Sequence, residues 1–295
     1  MERDSVLYKA RRKMQVVAYH IIPHVVLSKL YFRIYLNEKM DIKNPKKFNE
    51  KLQWLKLNYN AQNPLVVQCS DKYAVRSYVK ECGYSHILTK LIGVWEKAED
   101  IDWEMLPQKF VLKCTHGCAY NILCRDKEKF DKQGAAKQLN SWLKENFAAF
   151  NVELHYGKIK PRRIICEEYL GDVITDYKFF CFNGDPKFFY VSSDLIHDRQ
   201  AEIGFFYMDG NKMPMIRDDY KDIGNINMPE SLPEMIQIAR DLSKNFPFVR
   251  VDFFLLENSY KFAELTFTPG ACMMPLNPKQ YDIEWGKMLQ LPNAE

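Results

Sequence analysis

The pattern of hydrophobic and polar positions predicts helices at the start of this chain. Residues 1–60 have a helical pattern, which Pro23 interrupts. Asn44-Pro45 marks a turn before a second helix over residues 48–57. The chain therefore begins with a predicted helical segment.

The pattern changes near residue 91, where short apolar runs typical of strands begin. Before that point, Ser70 is expected to cap a third helix over residues 71–81, which Cys82-Gly83 ends. A long helix is expected over residues 126–150. The predicted strands of this region are residues 91–95, 110–114, 120–124 and 163–170.

The second half is predicted to be mostly antiparallel sheet. Asn183-Gly184, between two apolar runs, is a strong signal for a β-hairpin. The other predicted elements are a strand over 205–208, a helix over 230–246 and a second hairpin of 249–256 with 260–267. This order of elements predicts an α+β protein with two lobes, joined near residues 165–170.

Composition and charge exclude several classes of protein. The 295 residues are 47% hydrophobic and 27% charged, which is ordinary for a globular protein, and the net charge is only +4. No stripe of Lys and Arg with interleaved aromatics occurs, so nucleic acid is not expected as a partner. The eight cysteines have no repeated spacing and no signal peptide precedes them, so we expect reduced thiols and a cytoplasmic protein.

The apolar run of residues 14–36 raises the question of a membrane. It carries His20, His24, Lys29 and Arg33, which are too many polar groups for a transmembrane helix. Two interpretations stay open. The basic N-terminal helices associate peripherally with the inner membrane surface, or they pack on the main body of the protein. We favour the second.

The most informative feature is the pair of strands near the end of the chain. If their turn centres on Asn258, then Asp252 faces Glu264 and Arg250 faces Thr266. Side chains alternate between the faces of a sheet, so these four share one face. The opposite face is expected to be apolar, with Val249, Val251, Phe253, Ala263, Leu265 and Phe267.

Two carboxylates that are directly opposed across strands repel each other unless a cation lies between them. Mg²⁺ binds one or two carboxylates when it also binds substrate phosphates, so Asp252 and Glu264 are candidate magnesium ligands. Arg250 on the same face suits a phosphoryl oxygen. Two alternatives stay open: this is the solvent-exposed face of an ordinary hairpin, or a bulge shifts the register.

Two lysines are candidates for phosphate binding. Lys113 ends an apolar strand just before Thr115-His116-Gly117, a turn whose backbone N–H groups can cradle a phosphate. Lys72 lies at the expected start of the third helix, and helix N-termini favour anions. For both lysines, simple exposure to solvent is the alternative.

Acidic residues near the join of the lobes are candidates for nucleotide binding. Glu167-Glu168 ends a predicted strand, where it could bind the base or ribose of a nucleotide, although an exposed strand end explains it equally well. Asp176 and Lys178 share one face of the next strand. They are either part of the same site or a plain surface ion pair, which contributes little to stability.

Several longer motifs occur in a fixed order along nearly the whole chain. They are Asn44-Pro45, Phe48-Asn49-Glu50-Lys51-Leu52-Gln53-Trp54-Leu55-Lys56, Asp71-Lys72-Tyr73, Phe110-Val111-Leu112-Lys113, Thr115-His116-Gly117, Glu167-Glu168-Tyr169-Leu170, Asp176-Tyr177-Lys178-Phe179-Phe180, Cys181-Phe182-Asn183-Gly184, Arg250-Val251-Asp252-Phe253 and Glu264-Leu265-Thr266-Phe267-Thr268-Pro269. Together they resemble the ATP-grasp superfamily and, within it, the TupA-like family, named for teichuronopeptide synthesis. The resemblance implies a two-lobed α+β fold with antiparallel sheets. Its expected parts are a helical segment (1–60), an N-terminal lobe (61–166) and a C-terminal lobe with the metal-binding hairpin (167–295).

The resemblance also implies roles for single residues, with ATP and Mg²⁺ as cofactors. The expected ATP-binding residues are Lys72, Lys113, Thr115, His116, Gly117, Glu167, Glu168, Tyr169, Leu170 and Asp176. The expected metal ligands are Asp252, Glu264 and Thr266, and the expected catalytic residues are Arg250, Lys178 and Lys113. Two departures from the family pattern stand out: Thr266 replaces a more usual Asn, and the loop after Lys113 has a single glycine, Gly117.

By resemblance, the expected activity is that of an ATP-dependent carboxylate–amine ligase that works through an acyl phosphate. Its expected partners are an acidic sugar or polysaccharide precursor, such as a hexuronic acid, and an amine such as an amino acid, in the synthesis of a surface polysaccharide. Fold and cofactor do not fix the substrate. A glycan-modifying transferase, either a glycosyltransferase or a sugar kinase, and a non-catalytic nucleotide-binding subunit stay open as alternatives.

Overall fold

The computed structural model describes residues 6–172, 174–193, 202–217, 220–257 and 259–292. The helices are α1 (Val6–Ile21), α2 (His24–Leu36), α3 (Phe48–Asn58), α4 (Pro64–Ser70), α5 (Val75–Glu81), α6 (Lys132–Lys144), α7 (Ala148–Asn151), α8 (Leu232–Ser243) and α9 (Gln280–Met288). The strands are β1 (Leu91–Trp95), β2 (Phe110–Cys114), β3 (Asn121–Cys124), β4 (Ile164–Glu168), β5 (Thr175–Phe182), β6 (Asp185–Ser193), β7 (Glu202–Tyr207), β8 (Lys221–Asp222), β9 (Phe248–Leu255) and β10 (Tyr260–Thr266).

The strands form two sheets in which nearly all neighbours are antiparallel. The first sheet has the order β1-β4-β2-β3 and the second has the order β10-β9-β5-β6-β7-β8. Among the described strands, the short pair of β7 and β8 is the one parallel pair. The predicted α+β fold, with antiparallel sheets after a helical segment, is confirmed. The predicted boundaries at residues 60 and 166 stay a prediction.

The hairpin predicted at Asn183-Gly184 is confirmed. It joins β5 to β6, and Phe182 pairs with Asp185 on either side of the two-residue turn. Both turn residues have positive φ, 49° at Asn183 and 81° at Gly184. This backbone matches the right-handed twist of the strands, and Asn-Gly adopts it at low cost.

The prediction that Ser70 caps a helix over residues 71–81 is wrong. Ser70 is the last residue of α4, and its hydroxyl donates to the carbonyl of Val66 at 2.7 Å. Asp71 instead accepts hydrogen bonds from the N–H groups of Tyr73 and Ala74 in the turn that follows. This side chain competes with the helix for backbone donors, so α5 begins only at Val75.

The prediction of one long helix over residues 126–150 is also wrong. Asp126 caps a short 3₁₀ turn, and the side chain of Asp131 then accepts from the N–H of Gly134 and starts α6. The helix ends at Lys144, and α7 follows after a break. Two aspartates that bond to nearby backbone donors explain why the first turns do not join α6.

The second sheet is covered by helices on both faces. Side chains of α4, α5 and α8 pack on one face, against Phe179, Val251 and Leu265 among others. Side chains of α3 and α9, including Phe48 and Trp285, pack on a cluster of aromatic side chains at one end of the other face. Because the sheet alternates, that second face also carries the even-numbered polar residues of β5 and β9.

Candidate active site

Four neighbouring strands of the second sheet place one polar side chain each in a single row. Lys178 of β5 pairs with Tyr190 of β6 on one side and with Asp252 of β9 on the other. Asp252 in turn pairs with Glu264 of β10, as predicted. Directly paired residues have Cβ atoms roughly 4.5–5.5 Å apart, so the row brings acids and cations into contact.

The predicted register of the last hairpin holds only for the part far from the turn, where residues 250–252 pair with residues 264–266. Between Phe262 and Glu264 the pairing shifts by one residue, which is the bulge that was left open as an alternative. Phe262 therefore packs on the apolar face that was predicted for Ala263. Asn258, on which the turn was centred, lies outside the described residues.

Asp252 is fully buried and is held by two cations. Arg250 donates to both of its oxygens, from Nε at 2.7 Å and from Nη2 at 2.6 Å. Lys178 Nζ lies 3.4 Å from Oδ2. Burial disfavours the charge of Arg250, but Asp252, together with Tyr190 and Glu264, outweighs this effect and raises the pKa of the guanidinium. This bidentate pair fixes the direction of both side chains.

Lys178 is a buried cation between two acids. Its Nζ donates to Asp176 Oδ1 at 2.5 Å and also approaches Asp252. Burial by itself would lower the pKa of Lys178, but these two carboxylates together raise it above its ordinary value. The ammonium is therefore charged, and it offsets the charge of both acids.

Glu264 is the more accessible of the two opposed acids, with 31% of its side chain exposed. It accepts from Lys72 Nζ at 2.9 Å and from the Thr266 hydroxyl at 3.0 Å, and Arg250 Nη2 is 3.6 Å away. Burial would raise the pKa of Glu264, but the charges of Lys72 and Arg250 hold it far below the ordinary range. Glu264 is therefore an ionised carboxylate at the edge of the cluster.

The prediction that Lys72 lies at the start of a helix is wrong, because Lys72 lies in the turn between α4 and α5. Its backbone N–H donates to the carbonyl of Thr115 at 3.2 Å, at the end of β2. The turn thus connects the first sheet to the second, and it directs the Lys72 ammonium to Glu264. This tertiary contact accounts for the position of Lys72 without a helix N-terminus.

The cation that lies between the opposed carboxylates is Arg250. Its Nη2 donates to Asp252 and Thr266 and lies near Glu264, so the predicted repulsion is relieved by protein groups. Within the described residues, no group of three or more His, Cys, Asp and Glu could hold a metal by itself. The oxygens of Glu264, Thr266 and Asp252 nevertheless fit Mg²⁺ chemically, provided that phosphate oxygens complete its coordination.

A second cluster forms around Glu167 of β4. Lys113 of β2 donates to one of its oxygens at 2.7 Å, and Arg76 of α5 donates to the other at 3.0 Å. The Lys113 ammonium also lies 5.9 Å from the ring centre of Phe254 in β9. Both charged clusters therefore lie where the two sheets approach each other.

The loop after Lys113 packs differently from the expected phosphate cradle. His116 is fully buried, and its Nε2 lies 3.0 Å from the Trp142 carbonyl. Burial, followed by the charge of Arg162, lowers the pKa of His116 to about 4. A Cβ on Gly117 would come within 2.7 Å of Phe147. His116 and Gly117 thus contact the core of the first sheet, whereas Thr115 contacts Lys72 through its backbone.

The predicted hinge residues do not all reach the clusters. Glu168 accepts from the backbone N–H of Lys90 at 3.0 Å, away from the Glu167 cations. The Tyr169 hydroxyl donates to the exposed Asp172. Leu170 follows β4 and is half-buried. Of this group, Glu167 is the residue that the structure brings to the other site residues.

Sequence reasoning missed two participants. Arg76 lies four residues after Lys72 in the chain, in the first turn of α5, and its Nη2 also donates to the Thr89 carbonyl at 2.7 Å. Tyr190 lies opposite Lys178, and its hydroxyl accepts from Arg250 at 3.4 Å. The register of the Asn183-Gly184 hairpin could have indicated Tyr190 only approximately, because a shift after Phe180 moves the pairing by one residue.

Solved structures with similar folds are named as ligases or synthetases. They include an L-amino acid ligase from Bacillus licheniformis (TM-score 0.42, 12% identity, 70% of this chain and 44% of that chain). An ADP complex of N5-carboxyaminoimidazole ribonucleotide synthetase has a TM-score of 0.47 and 15% identity over 77% of this chain and 51% of that one. D-Alanine–D-alanine ligase from Helicobacter pylori has a TM-score of 0.47 and 14% identity over 83% of this chain and 70% of that one. The chain spans about half the length of the first two.

None of the curated protein sequences matches this chain. A family model described as TupA-like ATP-grasp, however, matches residues 50–290. That span includes both sheets, both charged clusters and all the motifs quoted above from Glu50 onward. The resemblance predicted from the motifs is therefore confirmed, and the chain belongs to the TupA-like ATP-grasp family.

Proposed function

We propose that this protein is an ATP-dependent ligase that joins a carboxylate to an amine through an acyl phosphate. One observation supports the proposal above all. Three cations, Lys72, Lys178 and Arg250, converge on the opposed acids Asp252 and Glu264. Such a concentration of buried charge is costly unless a ligand uses it, and perturbed ionisable clusters are typical of functional sites.

We propose that ATP binds where the two sheets approach each other. Lys113 of the first sheet lies 5.9 Å from the ring centre of Phe254 in β9 and donates to Glu167, and Lys72 connects the loop after β2 to Glu264. Lys72 and Lys113 would then contact phosphates, and Glu167 with the segment after it would lie beside the adenine. Asp176 accepts a hydrogen bond from Lys178 and would thereby fix the position of that ammonium.

Mg²⁺ would be held by Glu264, with Thr266 and Asp252 close by, and when bound it would neutralise charge on the phosphates. The residues of the chain have complementary tasks. Arg250 and Lys178 supply fixed positive charge beside the acids, where a transferred phosphoryl group gathers negative charge. Because both are held by buried carboxylates, they need little reorganisation when charge develops.

The proposed reaction has two steps. An oxygen of the substrate carboxylate bonds to the γ-phosphorus of ATP while the bond from that phosphorus to ADP breaks, which gives an acyl phosphate. The nitrogen lone pair of an amine then attacks the acyl carbon, phosphate leaves with the electrons of the C–O bond, and the nitrogen loses a proton. Water must be excluded between the steps, because it would hydrolyse the acyl phosphate.

For the substrates, we propose a uronic acid of a surface polysaccharide precursor as the carboxylate and an amino acid as the amine. Support for this pair comes from the family resemblance. Fold alone does not select a substrate.

The test is a phosphate-release screen of uronic acids against amino acids with Mg²⁺ and ATP. The blank is Asp252→Asn, which keeps the shape of the side chain and removes the charge that holds Arg250. We expect release that needs both substrates and is abolished in the blank. Release that survives in Asp252→Asn would refute the site assignment, and a strict requirement for a nucleotide sugar would favour a transferase.

A second candidate is a nucleotide-binding subunit without turnover. The observation in its favour is the loop after Lys113, where Gly117 and His116 are packed against Phe147 and Trp142. A loop held in this way closes over phosphates less readily than a glycine-rich one. Tight ATP binding without product in any substrate mixture would favour this candidate over the ligase.

A further inference from the structure

The first helix of the protein has an unusual orientation. The apolar residues Val6, Ala10, Met14, Val17 and Ile21 recur at the spacing of one helical face, and all of them are exposed. The large ones are 57% to 82% exposed. In a helix that simply covers a protein core, this stripe would face inward.

The side of α1 that contacts the body is largely polar, and Val16 is its apolar contact with the core of the first sheet. Gln15 is its one buried residue within 6–21, and its amide donates to the Phe150 carbonyl at 2.5 Å. The Arg12 guanidinium lies 3.5 Å from the ring centre of Phe150. Hydrogen-bond, cation–π and Val16 contacts therefore hold the helix in place, and its apolar stripe is left for another surface.

The next helix repeats the arrangement. In α2, Val26, Leu30 and Ile34 are four residues apart and are exposed, whereas Leu27 and Phe32 are buried. Scattered apolar residues on a surface are normal, but two adjacent helices with exposed apolar rows indicate an interaction surface. We call residues 6–36 the helical hairpin.

The positive charge of the helical hairpin favours a negatively charged partner. It contains six of the 42 Lys and Arg residues of the chain and none of its 38 Asp and Glu residues. The remainder, with 36 basic and 38 acidic residues, is slightly negative. The six basic residues are Lys9, Arg11, Arg12, Lys13, Lys29 and Arg33. A second copy of the chain would bring six more positive charges to the same surface, which opposes pairing.

We propose that the helical hairpin docks on the surface of an anionic lipid bilayer. Its apolar rows would enter the boundary between headgroups and acyl chains, while Lys9 and Lys13, which flank the stripe of α1, contact lipid phosphates. No helix in the described ranges is both long and apolar enough to cross a bilayer, so the contact is peripheral. This proposal does not depend on the proposed ligase activity.

The test is cosedimentation of the full chain with vesicles of phosphatidylcholine alone or with about one third phosphatidylglycerol. We expect binding to the anionic vesicles, at least about tenfold weaker in Met14→Asp/Val17→Asp. The matched control is Met105→Asp, since Met105 is 79% exposed on the main body. Lys9→Gln/Lys13→Gln should weaken binding to anionic vesicles too, while all variants keep the melting temperature of the wild type.

Three results would overturn the proposal. The first is no binding of the wild type to anionic vesicles. The second is equal binding of the wild type and of Met14→Asp/Val17→Asp. The third is a wild-type dimer in light scattering that this double variant converts to a monomer without any lipid binding, because the apolar rows would then meet a second copy.

Discussion

Single residues of the second sheet show how a buried ion pair differs from an exposed one. Lys178 and Asp176 are two residues apart on β5 and are buried, with Nζ and Oδ1 at 2.5 Å. Lys187 and Asp185 have the same spacing on β6, with 2.7 Å between the atoms, but their side chains are 40% and 46% exposed. The sequence pattern is the same, so burial and the second acid beside Lys178, Asp252, distinguish the two pairs.

Replacement of Lys178 by Met should destabilise the protein by about 3–5 kcal/mol, because Asp176 and Asp252 would be left buried with less compensating charge. Lys187→Met should cost at most about 1 kcal/mol, since exposed pairs contribute little. Urea unfolding of both variants measures the difference. Similar losses would mean that the cluster around Lys178 is well hydrated, in contradiction to its burial.

Stability should fall in mild acid because His116 is buried in its neutral form. Its pKa is about 4 in the folded state against 6.5 for an exposed histidine. Between pH 6.5 and 4 the unfolded chain binds the proton and the folded chain does not, so stability falls with pH in this window. One pKa unit corresponds to about 1.4 kcal/mol, so His116 contributes roughly 3 kcal/mol of this loss.

The measurement is the free energy of unfolding from pH 7 to pH 4 for the wild type and His116→Gln. The glutamine amide can still donate to the Trp142 carbonyl, to which His116 Nε2 is close. The stability advantage of the wild type over this variant should shrink as the pH falls. His86→Gln, at an exposed position, is the control. A gap between wild type and His116→Gln that stays constant would contradict the burial effect.

At the scale of elements, the loop between β2 and β3 is held by packing around Gly117. A Cβ there would lie 2.7 Å from Phe147 and 2.8 Å from Tyr120. Gly117→Ala should therefore cost about 1–3 kcal/mol of stability, and Phe147→Leu in the same chain should recover part of it. If Gly117 instead serves close approach to a phosphate, ATP affinity would fall with stability unchanged, and Phe147→Leu would rescue nothing.

The sequence predicted elements well where local signals agree with the tertiary structure. Asn183-Gly184 fixes its own hairpin, and the alternation in β9 and β10 correctly opposed Asp252 to Glu264. Predictions from the sequence failed where a side chain makes hydrogen bonds that compete with the predicted element, or where the pairing depends on residues that are distant in the chain. Ser70 is a residue type that often caps helices, but its hydroxyl donates to the Val66 carbonyl within α4. The bulge between Phe262 and Glu264 has no local sequence signal.

At the scale of the molecule, the two sheets are connected through charged side chains. Lys72 links the end of β2 to β10, and Lys113 of the first sheet faces Phe254 of the second. A pattern of residues could suggest that these lysines bind phosphates, but only the fold brings them to one place. Arg76 was missed for the same reason, since its partner Glu167 is 91 residues away in the chain.

This arrangement allows the proposed role of Lys113 in ATP binding to be tested separately from its role in stability. Glu167 is buried but keeps Arg76 as a partner when Lys113 is replaced by Met, so stability without nucleotide should fall by only about 1.5–3 kcal/mol, less than in Lys178→Met. At an ATP concentration of 100 times Kd, the wild type should gain about 2.7 kcal/mol, and a tenfold weaker variant about 1.4 kcal/mol. Thermal unfolding with and without Mg²⁺ and ATP measures both. Lys90→Met is the exposed control. A variant that is unstable without ATP, yet gains as much from it as the wild type, would make Lys113 a structural residue and move the nucleotide away from β2.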